Sequence, residues 1–189
     1  MTCVVTGARG YPGANCEVEK KNCEEQQRND VVFYYFMGHY GNICYSFHKE
    51  RYSSHSAAKK LCESIPDNEC FRKGALGTIE NIEVIDEAEK LDSSLWWTGG
   101  YIEPNECSEE LTACAKRDVF KWVADGESIS RYHWAADQPQ EHTSTMRNEC
   151  CVALFVDRKS QDPKGKLYDV VCDYLKMSVI CQQIPKYWA

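Results

Sequence analysis

Twelve cysteines in 189 residues constrain this chain more than any other feature. They stand at positions 3, 16, 23, 44, 62, 70, 107, 114, 150, 151, 172 and 181. An even number scattered over the whole length implies up to six disulfides and an oxidising compartment. A zinc site would need cysteines paired at C-x2-4-C spacing, and no such pair occurs. The expectation is therefore a secreted or extracellular protein. The charge agrees: 22 basic against 29 acidic residues leave a net charge of −7, the wrong sign for a nucleic-acid partner. The longest apolar and aromatic run is Val31 to Met37, far short of the ~20 residues that cross a bilayer. No basic and apolar leader opens the chain, so the reading is a secreted chain without its signal, or an ectodomain, with no membrane insertion.

Residues 1–30 differ from the rest. Gly7, Gly10, Pro12 and Gly13 break any period, Glu17 to Asp30 is charged, and three cysteines sit among few aliphatic side chains. We read this as an extension stapled by disulfides to a domain spanning 31–189. Val31 to His48 is aromatic and β-branched around Gly38 and Gly41, which predicts two strands and a turn. Ser53 or Ser54 caps a helix to about Ser64, with Ala58, Leu61, Cys62 and Ile65 on one face and Pro66 beyond its end. A second helix is predicted over 81–91, with Ile82, Ile85, Ala88 and Leu91 inward and Glu83, Asp86, Glu87 and Glu89 in solvent. From Leu95 onward the pattern is short strands between polar loops. Helices early and strands late make an α+β class.

Several motifs then follow in a fixed order. A hairpin ends in Cys44-Tyr45-Ser46-Phe47, and a helix carries Cys62. Gly74-Ala75-Leu76-Gly77-Thr78 precedes the second helix, and Trp96-Trp97-Thr98-Gly99-Gly100 follows it. Phe120-Lys121-Trp122 with Asp125-Gly126 comes next, and then Tyr132-His133-Trp134 and Gln138-Pro139-Gln140. Glu149-Cys150-Cys151-Val152, Asp169-Val170-Val171-Cys172 and Val179-Ile180-Cys181 complete the set. From Phe33 to Cys181 this order resembles the C-type lectin-like domain family. The resemblance implies two helices flanking small antiparallel sheets, chain ends brought together, and a long loop region bearing the ligand site. It also implies the pairs Cys62–Cys181 and Cys151–Cys172. These would close loops of about 120 and about 22 residues, contributing roughly 5 and 3 kcal/mol in the chain-entropy model. Cys150 and Cys151 are adjacent, so spacing does not choose between them; the family places its cysteine directly before an apolar strand, here Val152 to Val156. Cys107 and Cys114 flank a short segment that their bond would staple. Cys44 is expected to bond Cys16 or Cys23, Cys3 to take the other, and Cys70 and Cys150 to remain as a pair.

Many relatives bind sugar through calcium, which takes six to eight oxygens. The family supplies them from a Glu/Gln-Pro-Asn/Asp triplet, a later Glu and a Trp-Asn-Asp triplet. Carried onto this sequence, Gln138 and Pro139 match, and Gln140 is one methylene longer than the usual Asn or Asp. Glu149 and Asp169 match, whereas Tyr168 replaces an amide whose carbonyl would ligate. Only Glu149 and Asp169 remain as carboxylate metal ligands. A literal Glu103-Pro104-Asn105 stands too early in the order, inside an acidic segment from Tyr101 to Val119 closed by Cys107 and Cys114.

Enzyme chemistry finds no footing. His39, His48, His55, His133 and His142 show no metalloprotease or triad spacing and read as surface or packing residues. The Cys150-Cys151 pair lacks the His-Asp that a secreted phospholipase carries beside it. Asn-x-Ser/Thr acceptors are absent. Trp96, Trp97, Trp122 and Trp134 stand where the family packs its core. Tyr101, Tyr132 and Tyr168 lie near predicted loops, and Tyr168 is the first candidate for a protein contact, because Tyr buries much area for few lost rotamers. The expected function is extracellular recognition of a protein or another non-sugar ligand, without a cofactor, through Gln138, Gln140, Glu149, Tyr168, Asp169, Tyr101 and the 101–119 segment. The alternative is a lectin that binds a glycan through Ca2+.

Overall fold

The computed structural model describes residues 31–38, 41–68, 71–79, 81–91, 94–103, 119–130, 133–140, 149–156, 165–173 and 175–186. The 1–30 extension, the 104–118 segment and the Cys107–Cys114 pair lie outside these residues.

The chain opens with a hairpin, β1 (Val31–Gly38) and β2 (Gly41–Tyr52), in register from Val31↔His48 to Gly38↔Gly41. Helix α1 (His55–Glu63) starts where Ser54, in extended geometry, accepts the Ala57 N–H. The two-residue β3 (Ala75–Leu76) precedes α2 (Ile82–Glu89), capped by Asn81 through the Glu83 N–H. Then come β4 (Leu95–Tyr101), β5 (Lys121–Trp122), β6 (Cys151–Phe155), β7 (Lys166–Val170) and β8 (Met177–Gln183). The order across the sheet is β1-β2-β8-β4-β6-β7, with β3 on β8 and β5 on β4. Antiparallel pairing dominates, as expected. The strands nevertheless join in one sheet rather than several, because β4 runs parallel to β8 through Trp96↔Ser178 and Trp97↔Val179. Pairing of β2 with β8 brings the two ends of the described chain side by side.

Strand alternation divides the interior in two. Trp96 faces a cluster with Tyr45, Phe47, Leu154 and Ile180, onto which α2 lays Val84, Ile85 and Ala88. Trp97, the next residue, faces the other way into a cluster with Leu76, Ala153, Val179 and Met177, onto which α1 lays Ala58 and Cys62. Each large side chain so buried contributes roughly 1.5–3 kcal/mol. All four tryptophans expected in the core are there: Trp96, Trp97, Trp122 and Trp134 are buried. One helix face is corrected. Ile82 is 50% exposed, and Val84 takes the inward place. Ile82 directly follows the Asn81 cap, and the buried stripe is Val84, Ile85, Ala88 with Leu91 packed beside it.

Two disulfides tie this frame. Cys62–Cys181 joins α1 to β8, and Cys151–Cys172 joins β6 to the turn after β7. Both are the pairs the resemblance implied. Cys44 and Cys150 are also disulfide-bonded. Glycine is required where backbones crowd: a Cβ on Gly77 would stand 2.7 Å from Ile180 Cγ2, in the segment where Gly77 N–H donates to the Ile180 carbonyl.

Candidate functional site

The loop 133–140 lies against β7. Trp134 bridges Leu167 in parallel, and the Ala135 N–H donates to the Leu167 carbonyl at 3.0 Å. The Trp134 ring packs on Phe120, with centroids 5.1 Å apart, which anchors the loop to the core. The Gln138 N–H returns to the Ala135 carbonyl, and Asp137 sits at φ 63°, a left-handed position that a short polar side chain tolerates. The Gln138–Pro139 peptide is cis.

This turn brings together three of the expected site residues. Asp169 on β7 and Gln138 are both buried. The Gln140 N–H donates to Asp169 Oδ1 at 3.1 Å, and the Asp169 N–H donates to Gln138 Oε1 at 3.4 Å. The carboxylate and the amide oxygen thus close a reciprocal clasp between loop and strand, and the Gln138 amide oxygen satisfies the N–H of the buried Asp169. Glu149 is half-buried at the approach to β6, whose first residue, Cys151, pairs with Val170 next to Asp169. The Gln140 side chain is exposed.

Tyr168 stands apart from the clasp. Leu167 and Asp169 are buried on one side of β7, while Tyr168 is half-buried on the other, its ring edge-on to Phe155 at 5.7 Å. Tyr101 closes β4 half-buried, pairs with Lys121 and Cys151, and donates its hydroxyl to Glu103 Oε1 at 2.7 Å. Glu103 is exposed, and Tyr132, Pro104 and Asn105 lie outside the described residues. Among the described residues no three His, Cys, Asp or Glu side chains gather as a metal-ligand cluster.

One titratable group was not singled out by its neighbours in sequence. His55, the first residue of α1, is buried edge-on to Trp97 at 5.9 Å. Its Nε2 lies 3.1 Å from the Thr98 carbonyl, which can only accept, so Nε2 carries the proton. Burial pushes its pKa down to about 4, against the pull of that hydrogen bond and with help from Lys59. His55 is a packing residue, one of the two roles its sequence context allowed. The signal for burial was its place one helical turn before Ala58 and two before Cys62.

Comparison with solved structures decides the fold. The chain matches human lithostathine with a TM-score of 0.53 and 18% identity, over 85% of this chain and 92% of that one. It matches the C-type lectin CEL-I from Cucumaria echinata with a TM-score of 0.56 and 19% identity, over 84% and 97%. The fold is that of a C-type lectin-like domain. A calcium-independent type II antifreeze protein shares it as well, with a TM-score of 0.52, 15% identity, and coverage of 84% and 99%. No protein-family model and no curated protein matches the sequence. Within the C-type lectin-like domain, the Gln138–Asp169 clasp joins the loop 133–140 to β7.

Proposed function

We propose that this domain is an extracellular recognition module that binds a protein or another non-sugar surface through its loops, without calcium. One observation carries the reading: Asp169 Oδ1 and Gln138 Oε1, the oxygens that would face a cation, are engaged by the chain's own amides. Protein hydrogen bonds tie the loop to β7, which supports a reading in which it is ordered without a cation. Tyr168 adds support, because it offers an aromatic surface instead of a ligating amide. The bonded cysteines favour an oxidising, extracellular setting. A protein of this fold described as a calcium-independent antifreeze protein is consistent with that reading.

The alternative is calcium-dependent sugar binding, with Glu149 and Asp169 as the carboxylate ligands beside Gln138. It is favoured by the proximity of Gln138, Gln140 and Asp169, and by the lectin that shares the fold. Calorimetric titration with calcium, followed by a glycan array with and without chelator, separates the two. Our reading expects no calcium uptake, an unchanged melting temperature in calcium, and no chelator-sensitive glycan signal. Tight uptake that vanishes in Asp169→Asn, together with chelator-sensitive sugar binding, would overturn it.

A further inference from the structure

We infer that a second site, sharing no residue with the Gln138–Asp169 loop, binds a linear anionic sugar chain bearing sulfate groups. Two depressions of about 320 Å³ each adjoin between α1, β3, the turn after β5 and the end of β8. They share Lys73, Ala75 and Val123, so they form one groove. Lys59 and Glu63 of α1 wall one end, and Arg72, Ala124 and Ile184 wall the other.

The charge along this groove is opposite to that of the molecule. Three cations, Lys59, Arg72 and Lys73, line the groove beside one lining carboxylate, Glu63, in a chain whose net charge is −7; Arg72 is already engaged, donating to the Lys186 carbonyl, so the two lysines carry the proposal. Among the described residues Lys73 enters no ion pair, and the Lys59–Glu63 pair is long, at 3.9 Å, and exposed. Such a pair is worth little, so Lys59 remains available to a stronger anion. Cations on an acidic protein repel few neighbours of their own sign and present a local focus for an anionic ligand.

The shape selects the kind of anion. The groove is only partly enclosed, and Lys59, Arg72 and Lys73 in its lining are exposed, so it suits a chain passing through rather than an engulfed molecule. Ala75 and Val123, half-buried and shared by both depressions, are small and apolar, able to receive the C–H face of a sugar ring while sulfates reach the exposed Lys59 and Lys73. A peptide strand would need a free backbone edge. Here β3 is paired with β8 on one side, and on the other Gly77 O accepts the Gly99 N–H. The groove therefore offers charge and apolar contact without a main-chain register, which favours the sugar chain over an acidic peptide.

The test uses the full disulfide-bonded chain and a sulfated heparin-derived hexasaccharide, titrated at low and at high salt. Binding that weakens with salt is expected, and it should be insensitive to chelator and to Asp169→Asn. Lys59→Glu with Lys73→Glu should weaken it at least tenfold, while Lys176→Glu, an exposed cation outside the groove, should leave it within twofold. Lys59 and Lys73 are exposed, so the double variant should melt as the parent does. Absence of binding, equal loss in Lys176→Glu, or equal affinity for polyglutamate or for single-stranded DNA of matched charge would each overturn the proposal. Chelator-sensitive binding lost in Asp169→Asn would instead place the sugar at the loop and refute both the groove and the calcium-free reading, whereas calcium uptake without effect on the hexasaccharide would refute only the latter.

Discussion

The frame around β4 and the loop around Gln138 are held by different forces. In the frame, Trp96 and Trp97 point into two apolar clusters on opposite faces of the sheet, and disulfides join α1 to β8 and β6 to the turn after β7. The loop 133–140 rests on the Trp134 anchor, a few backbone hydrogen bonds and the Asp169–Gln138 clasp. Apolar burial and cross-links are non-local and additive over many residues, whereas a hydrogen bond contributes only about 0.5–1.5 kcal/mol net. The lesson is a division of labour: beyond the Trp134 anchor, which shares the cluster of Trp96, the frame should tolerate changes in the loop.

The largest break in that comparison comes from the cross-link. Replacing Cys62 and Cys181 together by Ala removes a bond that spans 119 positions, and it should cost about 5 kcal/mol in urea denaturation. A loss under about 1 kcal/mol would show that the clusters alone hold α1 on the sheet.

A smaller effect sits at the seam of the frame, at His55. The unfolded imidazole titrates near the ordinary value of 6.5, and the folded one at about 4. Between those values the unfolded chain holds the extra proton, so stability is full above about pH 6.5 and falls as pH drops towards 4. The loss amounts to about 3 kcal/mol at most. Denaturation curves at pH 7 and pH 4 check this, and His55→Phe should flatten the acid limb at some cost at pH 7, because the Thr98 carbonyl then loses its donor. An acid limb unchanged in His55→Phe would assign it to the carboxylates.

The smallest effect belongs to the loop. Asp169→Ala strips the acceptor from the Gln140 N–H and should cost about 1 kcal/mol, and Asp169→Asn, which keeps an acceptor oxygen, less than that. Hydrogen exchange at the Gln140 amide should speed up in the Ala variant while amides of β4 and β8 stay protected. Unfolding of the whole domain on Asp169→Ala would erase the distinction between the two regions.

Local rules were enough for much of the frame. The serine cap, the helical spacing around Ala58 and Cys62, and the short apolar runs between polar loops from Leu95 onward depend on neighbours within a few residues, so the helices and strands could be read in order. The Ile82 assignment failed because the first residue after a cap lies at the end of the stripe, where period alone does not say which side faces the sheet. The order of motifs placed Gln138, Glu149 and Asp169 in one region, since each is bound to a recognisable neighbour. It did not reveal that Tyr168 and Asp169 lie on opposite sides of β7, which follows from the face that Leu167 and Asp169 bury.

What the sequence determined by itself was the α+β class and a wealth of cysteines, because caps, apolar periods and cysteines are read along the chain, while the pairs Cys62–Cys181 and Cys151–Cys172 came from the resemblance of its motif order to a known family. What only the tertiary structure decided was the parallel pairing of β4 with β8, the burial of His55 and the clasp that turns Asp169 inward. The cationic groove is of the same kind: Lys59 lies on α1, Arg72 and Lys73 before β3, and Val123 after β5. Each depends on residues far apart in sequence meeting in space, and such meetings are fixed by how the faces pack rather than by any local pattern.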